Sequence, residues 1–193
     1  MYLVFRTLFV ASLLTAVSFG LAACNTDNSV TTVEEPAAEE SAAMDEGALA
    51  ADVLKDWESL KTAMMEFGDA MPEENFDYKP KEELRNFGEQ LMHVAGAHLF
   101  YMGNLDADAA RPDLGEPVEK ADVLQALSDS FDFGTAILSG QTDASLQEMV
   151  DGGYLGEATR ARIAYSAMIH TRQEYGVMTV YLRLNDIVPP ASR

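Results

Sequence analysis

Cysteine is nearly missing from this sequence: Cys24 stands alone. No disulfide can form within the chain. Basic residues are also scarce, 13 Lys+Arg against 32 Asp+Glu, giving a formal charge of −19 at pH 7. So acidic a surface repels the phosphates of nucleic acid and anionic lipid headgroups, which excludes nucleic acid as a partner. No Gly-rich phosphate loop, internal repeat or clear alternating strand pattern is visible. Histidine occurs three times, at His93, His98 and His170, so any imidazole chemistry must use those positions.

What is present begins with the N-terminus. Residues 1–23 carry one charge, Arg6, followed by an uncharged run from Thr7 to Ala23 that ends in Leu21-Ala22-Ala23-Cys24. A basic start, an apolar middle and small residues at a cleavage point make a secretory signal. Leu-Ala-Ala-Cys resembles the lipobox of bacterial lipoproteins, in which the cysteine is lipidated and becomes the first mature residue. An uncleaved signal anchor is the alternative, since the uncharged run is close to the lower limit of ~17–25 residues for a membrane span. Either way the remainder is expected to be exported, and a lipid on Cys24 would tie it to a membrane. With Cys24 lipidated the folded domain has no thiol, which excludes redox chemistry and a cysteine nucleophile. Residues 24–46 then form an acidic tether: Asp27, Glu34, Glu35, Glu39, Glu40, Asp45 and Glu46 occur with no Lys or Arg. Such a segment repels itself and buries little.

Residues 47–193 read as one all-α domain, a four-helix bundle. The first helix fits 48–67, with Leu49, Val53, Trp57, Leu60, Met64 and Phe67 on one face and Gly68 and Pro72 as stop signals. The second starts at Asn86, because Asn86-x-x-Glu89 has the form of a capping box, and runs to about Met102. Its central stripe is Phe87, Leu91, Ala95, His98 and Met102, with His93 off that stripe. The third fits 118–138, with Val123, Leu124, Leu127, Phe131 and Ile137 inward. A short helical turn is expected within 145–150, and the fourth long helix runs from about Glu157 to Leu184. The longer second and third connections leave room for crossovers.

The fourth helix holds the chemical signal. Ile163, Ala167, His170, Glu174, Val177, Tyr181 and Leu184 recur at steps of four and three, the spacing of one helix face. His170 and Glu174 interrupt that face one turn apart, and a buried carboxylate must be paired, protonated or given a metal. Two histidines and a carboxylate suit Zn²⁺ with an open position, or Fe²⁺ or Ni²⁺, with His93 or His98 supplying the third donor. A zinc-like ion so held acidifies water to a pKa of about 7. Spacing alone leaves open a buried His–Glu ion pair or a protonated Glu bonded to a Tyr. His98 reads as a satisfied core residue, Tyr101, Tyr175 and Tyr181 as core packing, and the scattered methionines as bundle filler rather than a copper site.

Three segments together carry a resemblance. They are Met71-Pro-Glu-Glu-Asn-Phe-Asp-Tyr-Lys-Pro80, Arg85-Asn-Phe-Gly-Glu-Gln-Leu-Met-His93-Val-Ala-Gly-Ala, and Glu174-Tyr-Gly-Val-Met-Thr-Val-Tyr-Leu-Arg-Leu-Asn-Asp-Ile-Val-Pro-Pro-Ala-Ser192. With these, residues 50–193 resemble the DinB-like (YfiT-like) family of helical-bundle proteins. The resemblance implies a divalent metal held by three histidines, one on the second helix and a His-x-x-x-His pair on the fourth. His93 and His170 match two of these positions, and Glu174 stands at the third. A His₂Glu metal site (His93, His170, Glu174) is one outcome, and a lost site on a surviving scaffold is the other. The resemblance further implies a small-molecule substrate handled by a metal-dependent hydrolase or thiol transferase, or else a non-catalytic envelope module, often a homodimer.

Overall fold

The computed structural model describes residues 47–193. The expected signal segment 1–23, the expected lipidation at Cys24 and the expected acidic tether 24–46 lie outside the described residues. Four long helices form a bundle: α1 (Ala48–Ala70), α2 (Phe87–Leu105), α3 (Lys120–Ser139) and α5 (Arg160–Leu184), with a short α4 (Asp143–Leu146) between the last two. Among the described residues no helix is long and apolar enough to cross a membrane.

Local chemistry starts and stops these helices. At α2 the Asn86 side chain accepts the Glu89 N–H and the Glu89 carboxylate accepts the Asn86 N–H, both at 2.7 Å, which is the reciprocal capping expected. That backbone bond to Asn86 holds the Glu89 carboxyl below its ordinary pKa. The ends of α1 are closed from a distance. Asp143 accepts N–H groups of Gly47 and Ala50 at 3.1 and 2.8 Å. Lys120 donates to the carbonyls of Asp69 and Met71 at 2.9 and 2.8 Å. An acid at the N-terminus and a base at the C-terminus also oppose the helix dipole favourably.

Pair contacts set the topology. On α1 and α3, Trp57 Nε1 donates to Phe131 O at 3.0 Å while Gly68 abuts Leu124, so these two run antiparallel. Gly68 also faces Leu91 and His98 meets Ser130, so α2 and α3 run parallel. Tyr181 reaches back to Arg85 O at 2.9 Å and Arg160 bonds Leu105 O, so α2 and α5 are antiparallel. α1 and α2 occupy diagonal corners, each flanked by α3 and α5. The connection 106–119 therefore runs back along the bundle, and the connection from α3 to α5 crosses its diagonal. Both crossovers agree with the reading of the long connections, and 71–86 crosses a diagonal as well.

The core is aromatic at its centre. Trp57, Phe131 and His98 have ring centroids 4.3 to 5.0 Å apart and are fully buried. Gly134 admits the indole: a Cβ there would lie 2.3 Å from Trp57 Cζ2.

Three local expectations are corrected. Helix α1 continues through Gly68 to Ala70. Gly68 is a packing glycine whose Cβ would meet Leu124 Cδ2 at 2.4 Å, so it permits close approach rather than ending the helix. The expected turn in 145–150 is α4 followed by a two-stranded antiparallel hairpin, β1 (Met149–Asp151) with β2 (Glu157–Thr159), pairing Val150 with Ala158. Its turn uses Gly153 and Gly156 at φ +66° and +67°, which favours glycine. Because β2 takes 157–159, α5 starts at Arg160, capped by Thr159 Oγ1 accepting from Arg162 N. Finally, the buried face of α5 is Ile163, Ala164, Ala167, Thr171, Met178, Tyr181 and Leu182. Val177 and Leu184 are exposed, and His170 and Glu174 sit at the edge of the core instead of in its middle.

Candidate metal centre

Helices α2 and α5 bring His93, His170 and Glu174 together. One donor atom from each lies within 4.8 Å of the others. His93 Nε2 is 3.8 Å from Glu174 Oε1, and the two imidazoles stand nearly perpendicular with centroids 5.1 Å apart. Tetrahedral zinc at ~2.0–2.2 Å from each donor needs donors ~3.3–3.6 Å apart. His93 and Glu174 stand close to that separation, and every pair of the set lies within 4.8 Å.

The chemistry of the donors fits an ion. His170 Nε2 is buried without a hydrogen-bond partner, a costly state for a polar atom unless something else engages it. His93 is held below its ordinary pKa, first by burial, then by Arg85 and His170, against an upward pull from Glu174. It is therefore favoured in the neutral form that ligates metals. The Glu174 carboxylate accepts a hydrogen bond from Gln90 Nε2, so its partner is an amide and not a tyrosine.

His98 has no part in this cluster. Ser130 Oγ lies 2.7 Å from Leu127 O and Thr171 Oγ1 2.9 Å from Ala167 O, and the two hydroxyls meet His98 Nδ1 at 3.0 Å and Nε2 at 2.8 Å, so both ring nitrogens have a hydroxyl partner. Burial pushes its pKa down to about 3. It is the satisfied core histidine expected from sequence.

Two features near the centre were not expected there from the sequence. Gln90, 4% exposed, is a polar residue among the buried positions Phe87, Leu91 and Val94 of α2. The second is an aromatic group beside His170. Tyr101 lies 6.1 Å from the His170 ring and shares a hydrogen bond with Tyr154 of the hairpin turn, while Tyr154 stacks on Phe100 at 5.7 Å. Burial, then the Tyr154 bond, pushes the Tyr101 hydroxyl up to about 12, so it stays protonated. Tyr101, Tyr175 and Tyr181 pack in or on the core as expected.

No curated protein matches the chain in sequence. Among solved structures it is similar to a DinB-like protein from Bacillus cereus ATCC 10987, with TM-score 0.63 and 16% identity over 72% of this chain and 95% of that one. It is also similar to the DinB-like protein YjoA from Bacillus subtilis, with TM-score 0.58 and 18% identity over 70% of this chain and 92% of that one. At such identities the likeness shows the fold alone. The sequence profile of the DinB superfamily matches residues 56–178, which include all three clustered side chains. The chain is a member of the DinB superfamily.

Proposed function

We propose that this protein holds one divalent metal ion, Zn, Ni or Fe, through His93, His170 and Glu174, and that it acts on a small electrophilic substrate as a metal-dependent hydrolase or thiol transferase. The observation that carries this reading is the buried, unpartnered Nε2 of His170 next to a second imidazole and a carboxylate. A bound ion of this kind supplies Lewis acidity and acidifies water at its open position. The chain's own residues prepare the place for it. His93 is kept neutral by burial, and Glu174 offers one oxygen while the other is engaged by Gln90. The Tyr101 ring stands 6.1 Å from that of His170, and its protonated hydroxyl shares a hydrogen bond with Tyr154. Phe100 and Tyr154 add an aromatic wall at the hairpin side.

The location is part of the proposal: export through residues 1–23 and a membrane anchor through lipid on Cys24, with a bacterial envelope as the setting. Radiolabelled palmitate entering the wild type but not Cys24→Ser would support it.

A second reading, a non-catalytic envelope module acting as a homodimer, is favoured by the outer face of α5. There Tyr165, Ile169, Val180 and Leu184 are between 42% and 62% exposed, an apolar stripe on the side that normally faces water.

Metal analysis of the purified domain separates the readings. The first expects near-stoichiometric metal that is lost in His170→Ala. Absence of metal after incubation with Zn²⁺, Ni²⁺ or Fe²⁺, with thermal stability unmoved by a chelator, would overturn it and leave the second. A monomer at micromolar concentration in sedimentation would count against the dimer.

A further inference from the structure

Gln90 stands one turn before His93 on α2, so both side chains leave the helix on adjoining positions of one face. The buried neighbours of Gln90 on that helix are Phe87, Leu91 and Val94. An amide in such company is costly unless it is bonded. Its Nε2 donates to Glu174 Oε2 across the α2–α5 interface, while the other oxygen, Oε1, faces His93 Nε2. The bond thus divides the labour of one carboxylate: one oxygen is committed to an amide, and one is left to point at the imidazoles.

A glutamate needs such help. Its carboxylate ends a chain of three rotatable bonds, and a loose carboxylate can swing out to water or offer both oxygens to one ion. An uncharged donor suits the task. A lysine or arginine here would pair with Glu174 and compete with a cation for it, whereas an amide fixes the carboxylate and leaves its negative charge available. Second partners of this type commonly tune metal affinity by 10–100-fold.

We infer that Gln90 is a positioning residue: its amide holds the Glu174 carboxylate in the one-oxygen presentation that completes the centre formed with His93 and His170. This rests on the metal-binding reading above. It adds that the affinity of the centre depends on a residue that need not touch the ion.

The test is a double-mutant cycle read as Zn²⁺ affinity, measured by competition with a chromophoric chelator. The proteins are the wild type, Gln90→Met, Glu174→Ala and the double variant. Methionine keeps the length and burial of the side chain and removes the donor. Gln90→Met should bind Zn²⁺ about 10–100-fold more weakly. In the Glu174→Ala background the same change should cost less than about threefold, because the group Gln90 acts through is gone. A merely structural role would give losses that multiply. Gln90→Asn, which keeps an amide but is too short to reach, serves as a second variant if Gln90→Met does not fold. Apo-protein thermal unfolding checks folding in each case.

Wild-type Zn²⁺ affinity in Gln90→Met, with binding lost in Glu174→Ala, would overturn this inference and leave the metal site standing. Multiplying losses would do the same. Failure of the wild type to bind Zn²⁺ at all would sink the metal reading itself and the inference with it.

Discussion

Acid should loosen this bundle through one residue, His98. Its side chain is 0% exposed and lies against Trp57 and Phe131 at centroid distances of 4.8 and 4.3 Å. A proton added to the ring would place a charge among aromatic side chains, out of reach of water. Burial therefore keeps the folded-state pKa at about 3, against an ordinary 6.5. The unfolded chain takes up the proton near pH 6.5 while the folded chain does not until about pH 3. Between those values the unfolded state binds more protons, so stability falls as pH falls. One unit of pKa difference is worth ~1.36 kcal/mol. From pH 7.5 to 4.5 the loss from His98 alone comes to about 2.5 kcal/mol, a large share of the ~5–15 kcal/mol typical of a domain. The assay is urea unfolding of wild type and His98→Gln in chelator, at half-unit steps across that range. Glutamine keeps a donor and an acceptor and removes the titration. Carboxylates titrate in both proteins and cancel in the difference. The wild-type advantage at pH 7.5 should shrink by roughly 2–3 kcal/mol by pH 4.5. Two stability curves that stay parallel would refute the reasoning, because they would mean that the imidazole gains its proton equally well in the folded chain.

Two further substitutions probe the site and the core. Glu174→His should raise Zn²⁺ or Ni²⁺ affinity by about tenfold or more, since the Gln90 amide can turn its carbonyl toward the new ring N–H; a titration showing no gain would count against the ligand assignment. Gly134→Ala should cost about 1–3 kcal/mol, because the new methyl meets the Trp57 indole at 2.3 Å. Trp57 is the one tryptophan in the chain, so its emission should shift red, and an unmoved spectrum with an unchanged urea midpoint would show that the core yields without strain.

The helices were legible because α1, α2 and α3 bury one clear face each and α2 opens with a reciprocal cap. The rest was obscured for identifiable reasons. Gly68 reads as a terminator because glycine is poor inside helices, and only the tertiary neighbour Leu124 reveals its use. Three-residue strands are too short to show alternation, so the hairpin left only the Gly152-Gly153 signal. On α5 the stripe through 163–184 advances by 3.5 residues per turn while an α-helix turns every 3.6, a drift of ~20° per heptad. Over three heptads the row Ile163, His170, Val177 and Leu184 slides off the core, from buried Ile163 to exposed Leu184, while Tyr181 in the other row of the stripe stays buried. The same drift leaves His170 at the margin. Their partner His93 was visible through its position off the α2 core stripe and through the family resemblance. Gln90 needed the bundle to be assembled, since its bond spans two helices distant in sequence.

The two helices that carry the donors are fastened to each other independently of any ion. His98 of α2 bonds Thr171 of α5, and Thr171 is the immediate neighbour of His170 in sequence. Arg160 ties the start of α5 to Leu105 at the end of α2, and Tyr181 ties its far end to Arg85. The separation of His93 from His170 is therefore set by a packed helix pair, not by a loop that an ion must organise. In a small zinc module the binding energy of the metal is the folding energy, and the apo form unfolds. Here the apo bundle already has its core, so an ion at 100 times its Kd would add about 2.7 kcal/mol to a fold that stands without it. A bundle with that independence can change the side chain at position 174 and remain folded. The fold and the centre can thus change separately, so retention of the DinB bundle is by itself no measure of whether the metal site works.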